Sequence, residues 1–239
     1  MAFDPTSLDL RGLFRDSDMF DSPRRWAAAG FKILNRSGKI MVARHPAVRG
    51  LLFKRYAGEI SQKEQLTNFE RRLEGARRLR TLVDRLGLTR IIVPHKWIVE
   101  LPTHRRSHVL IVERLEILGD LQTSAAYRRI EPDTLTQLCC VLFHFRGMDS
   151  NTKNLPFTED GRIALVDTEH WDRHSRKPYL HHIGKHLGSS SWKLARKIFH
   201  QLEDGKVPDF LVNDRLDSAG LADFGGDTSS SSSSLSSSS

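Results

Sequence analysis

One long helical pattern between two groups of strand-like segments constrains this 239-residue chain more than any other feature. Apolar residues recur at steps of three and four, and Gly87 ends the pattern. The apolar positions are Leu66, Phe69, Leu73, Ala76, Leu79, Val83 and Leu86. This spacing predicts one helix with a buried apolar face and an Arg-rich exposed face.

Short apolar runs of strand length flank this helix on both sides. Gly, Pro, Asn or Asp residues bound most of the runs, which favours strands over further helices. Ser37-Gly38 favours a hairpin turn between the first two runs. The predicted strands cover residues 31–35, 39–44 and 51–56 before the helix and residues 91–94, 97–101 and 109–114 after it. The fold class expected from this order is α+β.

The second half of the chain begins with a polar segment, residues 118–129, that we predict to be a linker. Glu131-Pro132-Asp133 then opens a helix, because the missing N–H of Pro costs nothing in a first turn, and Gly147 ends this helix. The remaining predicted elements are a loop at residues 148–154, short strands at 155–157 and 162–166, and a helix at 191–202.

Composition excludes some classes of protein. With 38% hydrophobic residues the chain can bury a core of one domain with two lobes. No run approaches the eighteen or so apolar residues of a membrane span, so none is predicted. The net charge of +8 could attract nucleic acid or other polyanions. Because Lys and Arg are scattered along the sequence rather than grouped in one basic patch, nucleic-acid binding is the least favoured hypothesis.

The cysteines and the chain ends also carry information. Cys139 and Cys140 are adjacent in a predicted buried helix, where a disulfide between them would be strained. A reducing compartment, the cytoplasm, is therefore expected; a host-directed protein exported without a cleavable leader is the second option. From about Ala219 onward the chain is almost entirely Gly, Asp and Ser, which predicts disorder.

Three oxygen-bearing side chains stand in and after the predicted loop at residues 148–154. Asp149 is followed at the fifth position by Asn154, and Asp167 ends an apolar strand thirteen residues later. Carboxylate and amide oxygens are hard ligands, suited to Mg²⁺ or Mn²⁺ and poorly suited to zinc. The alternative is that Asp149 and Asn154 only make turn hydrogen bonds and that Asp167 only caps its strand.

This segment resembles the catalytic core of the protein-kinase-like superfamily, where a catalytic-loop Asp precedes an Asn by five residues and a metal-binding Asp follows a hairpin. The resemblance implies ATP and Mg²⁺ (or Mn²⁺) as cofactors, with Asp149 as general base and Asn154 and Asp167 as metal ligands. It also implies a two-lobed α+β fold with a reduced C-lobe. The implied division is an arm at 1–24, an N-lobe at 25–117, a C-lobe at 118–213 and a tail at 214–239.

The resemblance extends upstream to three further residues. Lys54 ends the third strand, where the family keeps a lysine for the α- and β-phosphates, and Glu74 is its expected ion-pair partner on the helix. Glu113 lies on the strand whose backbone would meet the adenine. Glu70 is the competitor for Glu74. Alternatively, Lys54 is an exposed strand-end lysine and Glu74 pairs with Arg78 on its own helix.

Several family features are missing. There is no Gly-x-Gly-x-x-Gly run and no Ala-Pro-Glu segment, and Thr168-Glu169 replaces the usual Phe-Gly. The predicted function is ATP-dependent phosphoryl transfer to a protein or small-molecule hydroxyl. The alternative is an inactive pseudokinase that binds nucleotide or acts as a scaffold.

Other polar and aromatic residues have less specific interpretations. His170 and His174, with His181, His182 and His186 after them, could suggest zinc, but a solvated basic segment is the favoured interpretation. Residues 95–97 are interpreted as structural.

Overall fold

The computed structural model of the protein describes residues 13–14, 22–35, 40–56, 60–101, 108–171, 180 and 182–206. The predicted Ser37-Gly38 turn, His174, His181, most of the N-terminal arm and the Ser-rich tail lie outside these residues. Within them, no helix has the length and apolarity needed to cross a bilayer.

The first half of the chain forms a five-stranded antiparallel sheet from strands β1 (Lys32–Asn35), β2 (Ile40–His45), β3 (Val48–Tyr56), β5 (Lys96–Glu100) and β6 (His108–Glu113). Their order in the sheet is β1-β2-β3-β6-β5. The long helix α2 (Gln62–Arg85) leaves the sheet after β3, and the chain returns to it at β5. Three strands, one helix and then further strands is the N-lobe order that the resemblance implies.

One face of this sheet is covered by an aromatic cluster. Alternate residues of β3 point toward the cluster, because successive strand residues face opposite sides. Helix α1 (Pro23–Ala28) contributes the fully buried Trp26, whose ring lies 5.2 Å from that of Phe31. Phe31 in turn meets Phe53 of β3 edge to face at 5.2 Å. Buried side chains of this size dominate the packing of a small lobe.

Helix α2 packs on the opposite face of the sheet. Its N-cap is Ser61, whose hydroxyl accepts a hydrogen bond from the Glu64 N–H. It ends as predicted before Gly87, which has a φ of 59° that favours glycine. The helix is confirmed, but two polar residues, Gln65 and Arg72, are buried on its inner face. Gln65 is satisfied by donating to the His108 carbonyl at 3.0 Å.

The second half is mainly helical, with α3 (Asp120–Arg128), α4 (Pro132–His144) and α5 (Ser189–Glu203). The prediction that residues 118–129 form a linker is wrong, because they contain α3. Tyr127 holds this helix in the core: its side chain is fully buried and its hydroxyl donates to the Leu155 carbonyl at 2.7 Å. Burial of this aromatic ring, with its hydroxyl hydrogen-bonded, stabilises a helix in this mainly polar segment.

A short parallel pair of strands joins the two halves. β4 (Ile91–Ile92) pairs with β7 (Ile163–Ala164), which directly precedes the strand end that carries Asp167. The hairpin predicted at residues 155–157 and 162–166 is reduced to one bridge, between Phe157 and Ile163. The strand that pairs with β7 is thus β4, which lies far from it in the sequence. The described part of the chain confirms the α+β class.

Candidate active site

The loop at residues 148–154 is shaped by its own hydrogen bonds. Asp149 is exposed, and its Oδ1 accepts from the Asn151 N–H at 3.1 Å. Its Oδ2 accepts from Nδ2 of Asn154 at 3.0 Å. The Asn154 N–H donates to the Asn151 carbonyl at 2.8 Å. Turn hydrogen bonds are the alternative role predicted from the sequence for Asp149 and Asn154, and these bonds are present. They also hold the exposed Asp149 carboxylate in a defined position.

The returning strand brings Asp167 next to Asn154. The Val166 N–H donates to the Asn154 carbonyl at 3.1 Å, so the two candidate metal ligands lie on hydrogen-bonded neighbouring segments. Asn154 uses its Nδ2 on Asp149, and Asp167 uses its Oδ1 on Arg72 and the Glu169 N–H. The Oδ1 of Asn154 and the Oδ2 of Asp167 accept no hydrogen bond from any residue that the structure describes.

These two open oxygens fit a divalent cation of the Mg²⁺ type, because Mg²⁺ takes one or two protein oxygens and completes its shell with phosphate and water. Across the described ranges, no three His, Cys, Asp or Glu side chains cluster as a metal centre built from protein alone would require.

Helix α2 presents Arg72, not Glu74, to the Asp167 segment. Arg72 is 7% exposed, and its Nη1 donates to Oδ1 of Asp167 at 2.7 Å while its Nη2 pairs with Oε2 of Glu169. The hydroxyl of Thr168 donates to the Arg72 carbonyl at 2.6 Å. A single residue of α2 thus contacts three consecutive residues of the segment.

The predicted ion pair between Lys54 and Glu74 is not formed. Both oxygens of Glu74 accept hydrogen bonds from Arg77 and Arg78 on its own helix, at 2.7 to 2.8 Å. These bonds lower the pKa of Glu74 to about 2. The alternative pairing with Arg78 is therefore the observed one. Since an α-helix turns about 100° per residue, Glu74 lies about 200° from Arg72 around the axis.

Lys54 lies where the sequence placed it, on β3 between Val42 of β2 and Leu110 of β6. The pKa of Lys54 is lowered to about 8, mainly by desolvation and also by the positive charge of Arg72, while the charge of Asp167 acts in the opposite direction. Lys54 is therefore electrostatically coupled to Asp167 and Arg72, and Glu74 is not its partner.

Lys96, interpreted from the sequence as structural, is a second lysine near Asp167. It begins β5 and is 3% exposed. Its Nζ donates to the Thr168 hydroxyl at 2.7 Å and to the Val166 carbonyl at 3.3 Å. Burial lowers the pKa of Lys96 well below its ordinary value, and the nearby charge of Lys54 lowers it further.

Glu113 occupies the end of β6, as predicted for the strand that would meet the adenine. Its N–H donates to the His95 carbonyl at 2.8 Å, and its carboxylate Oε2 accepts from the His95 N–H at 3.0 Å. The side chain thus closes the β5–β6 pair. That the backbone of Glu113 contacts the adenine of a nucleotide stays a prediction.

A glycine lets α2 approach the Asp167 segment closely. A Cβ on Gly75 would lie 2.1 Å from the Thr168 carbonyl oxygen and 2.6 Å from Cδ1 of Trp171. The Trp171 ring is covered on one side by the guanidinium of Arg78, 4.1 Å from the ring centroid. Trp171 therefore packs on the helix beside the site.

We expect Gly75→Ala to destabilise the protein, although Gly to Ala inside a helix ordinarily stabilises by about 1 kcal/mol. The added methyl would meet backbone, and overpacking of this kind costs about 1–3 kcal/mol. Urea denaturation of the wild type and the variant measures the change in the free energy of unfolding. An increase in stability would show that the close contact is not made.

A sequence signal for Arg72 did exist. Residues 65, 69, 72, 76 and 79 follow each other at steps of four, three, four and three, which is a regular inner face containing Gln65 and Arg72. The apolar stripe used for prediction passed over these polar members. For Lys96 no comparable periodic signal exists, because a buried lysine at a strand start resembles an exposed one.

No protein-family model matches the chain, and no curated protein is significantly similar to it in sequence. Among solved structures, the PknI kinase domain of Mycobacterium tuberculosis overlays with a TM-score of 0.34 and 20% identity, over 62% of each chain. The match thus spans less than two thirds of the length of that domain. The pseudokinase domain of BIR2, an immune regulator of the RLK/Pelle family, overlays with a TM-score of 0.38 and 10% identity, over 79% of this chain and 68% of that one.

Likenesses with these TM-scores add nothing about activity, so the fold assignment depends on the features described above. These are the five-stranded sheet, the placement of α2 after β3, and the loop and strand that bring Asn154 next to Asp167. These features give the described residues an α+β fold with the strand and helix order that the resemblance to protein-kinase-like proteins predicts.

Proposed function

We propose that this protein is an ATP-dependent phosphotransferase that transfers a phosphoryl group to a hydroxyl. The observation that carries the proposal is the hydrogen-bonded connection of Asp149, Asn154 and the Asp167 strand, with Lys54 within electrostatic reach of Asp167. Carboxylate, amide and ammonium groups are the set that phosphoryl transfer requires, because catalysis there is mainly positioning and charge stabilisation.

Each residue has a defined task in this proposal. Asp149 accepts the proton of the attacking hydroxyl, Lys54 binds the phosphates, and Asn154 and Asp167 would hold Mg²⁺ through their open oxygens. When bound, the ion supplies charge neutralisation at the phosphates. The exposure of Asp149 leaves room for an acceptor on the solvent side of the loop. A protein hydroxyl and a small-molecule hydroxyl both suit this position.

A second candidate function is that of a pseudokinase. Two observations favour it: Arg72 already binds Oδ1 of Asp167, and Glu74 is paired on its own helix rather than with Lys54. A pseudokinase that binds nucleotide would still be stabilised against thermal unfolding by ATP and Mg²⁺. It would show no phosphoryl transfer that depends on Asp149. The reducing compartment and the absence of a nucleic-acid partner stay predictions.

Thermal unfolding with ATP and Mg²⁺ tests nucleotide binding directly. At a ligand concentration of one hundred times Kd we expect a stabilisation of about 3 kcal/mol. For a chain of this size that raises Tm by about 6–10 °C. Asp167→Ala should abolish this ligand-dependent shift, because it removes a metal ligand.

Asp204→Ala is the matched control, since it removes a carboxylate that is 61% exposed and whose one ion pair among the described residues is with Lys206. It should keep the full shift. An equal shift in Asp167→Ala would contradict the assignment of the metal site, whatever the Tm of the unliganded variant.

A further inference from the structure

Two buried cations of the N-lobe hold the segment around Asp167, and the proposed roles do not use either of them. Arg72 belongs to α2 and Lys96 to β5, so they approach the segment from different elements. Both are less than one tenth exposed. Burying a charge costs several kcal/mol and is often no better for stability than an apolar residue of similar volume. Stability alone therefore does not account for both.

The contacts of Arg72 are distributed along the segment. Its guanidinium binds the carboxylates of Asp167 and Glu169, and its carbonyl accepts from Thr168 between them. The planar guanidinium can engage two carboxylates at once, which a lysine ammonium does with less directional control. Asp167 is thereby held through its own side chain and through both following residues.

Lys96 completes the attachment from the sheet. Its ammonium binds the Val166 carbonyl and the Thr168 hydroxyl, the groups directly before and after Asp167 in the chain. Residues 166 to 169 are thus all bound by the two cations. Gly75 allows this arrangement, because a larger residue would collide with the Thr168 carbonyl.

We propose that Arg72, with Glu169 as its acidic partner, is the positioning residue that fixes Asp167 for metal and nucleotide, in place of a lysine–glutamate pair. This inference rests on the proposed function. In the predicted lysine–glutamate pair the helix would supply the acid. Here α2 supplies the cation, Arg72, and the segment after Asp167 supplies the acid, Glu169. Lys96, acting through Thr168, supports the same segment.

The test uses Arg72→Gln, Glu169→Gln and the double variant in the full chain, with Arg77→Gln as an exposed control on the same helix. If the pair acts as a unit, each single variant and the double should lower kcat by a similar factor, about ten- to a hundredfold, because coupled residues are not additive. The KM for ATP should change less than about threefold, since Lys54 is retained. Arg72→Lys should not restore kcat.

A second readout is independent of turnover: the Mg²⁺ concentration that half-saturates nucleotide binding, measured by titration with a fluorescent ATP analogue. Simple electrostatics predicts that neutralising Arg72 tightens Mg²⁺ binding, because a positive charge beside the ligand is removed. Positioning predicts the opposite, a half-saturating Mg²⁺ concentration raised by about tenfold, which corresponds to about 1.4 kcal/mol.

The outcomes separate the two proposals. Tighter or unchanged Mg²⁺ binding in Arg72→Gln, with kcat of the folded fraction within threefold of the wild type, overturns the positioning role. A wild type whose turnover does not depend on Asp149 overturns phosphoryl transfer, while a raised Mg²⁺ requirement in Arg72→Gln would still support positioning. A wild type that binds no nucleotide overturns both.

Discussion

Asp149→Asn should lower the rate of phosphate transfer from ATP by about 10² to 10⁴, the usual contribution of a general base. The change removes the proton acceptor and keeps one of the two loop hydrogen bonds: the amide oxygen of Asn can still accept from the Asn151 N–H, whereas its amide nitrogen cannot accept from Nδ2 of Asn154. Turnover is measured as release of labelled phosphate in the presence of Mg²⁺, with hydrolysis by water as the acceptor-independent reaction.

Glu159→Gln provides the control for this variant, since it makes the same carboxylate-to-amide change at an exposed position of the neighbouring turn. The control should keep wild-type turnover, and both variants should keep the ATP-dependent thermal shift. A turnover in Asp149→Asn within a few-fold of the wild type, with a normal thermal shift, would favour the pseudokinase reading.

Lys54→Met should weaken binding of Mg²⁺ and ATP by about ten- to a hundredfold, because a hydrogen bond to a charged group contributes about 1.5–3 kcal/mol. Met retains most of the length and apolar contact of the side chain. Affinity is measured by titration at pH 7, where a group with a pKa of about 8 is mainly protonated. Lys63→Met, an exposed substitution in the first turn of α2, should leave the affinity unchanged.

The lowered pKa of Lys54 also predicts a pH dependence. Phosphate binds the protonated ammonium, so nucleotide affinity should fall as pH rises through about 8 in the wild type, and this component should be missing in Lys54→Met. A wild-type affinity that is constant from pH 7 to 9 would place Lys54 away from the phosphates.

As pH rises, the free energy of unfolding should increase, whereas the nucleotide affinity should decrease. The unfolded chain keeps the Lys54 proton up to its ordinary pKa of 10.5, whereas the folded chain releases it above about 8. Between these values the unfolded state binds more protons, so the contribution of Lys54 raises stability with increasing pH. Below pH 8 both states are protonated and the destabilisation from burial is fully present.

Features governed by local spacing were predictable from the sequence. Helices α2 and α4 follow from apolar periodicity and from Gly and Pro near their ends. Helix α5 and five strands of the sheet also lie close to their predicted positions. Asp149 and Asn154 are five residues apart, so a single turn brings them together. Helix α3 was missed because its buried Thr123 and Tyr127 stand in an otherwise polar segment.

The tertiary structure alone decided which charges meet at the site. Arg72 contacts Asp167 across 95 positions of sequence, and Lys96 contacts Thr168 across 72. Whether a polar residue is buried depends on a partner that can satisfy its charge, and such partners come together only when α2, β5 and the Asp167 segment pack. The sequence by itself determined helices α2, α4 and α5, the five strands of the sheet and the spacing of the candidate ligands, since these depend on near neighbours. The exchange of Glu74 for Arg72 as the helix residue at the site depends on packing between distant segments.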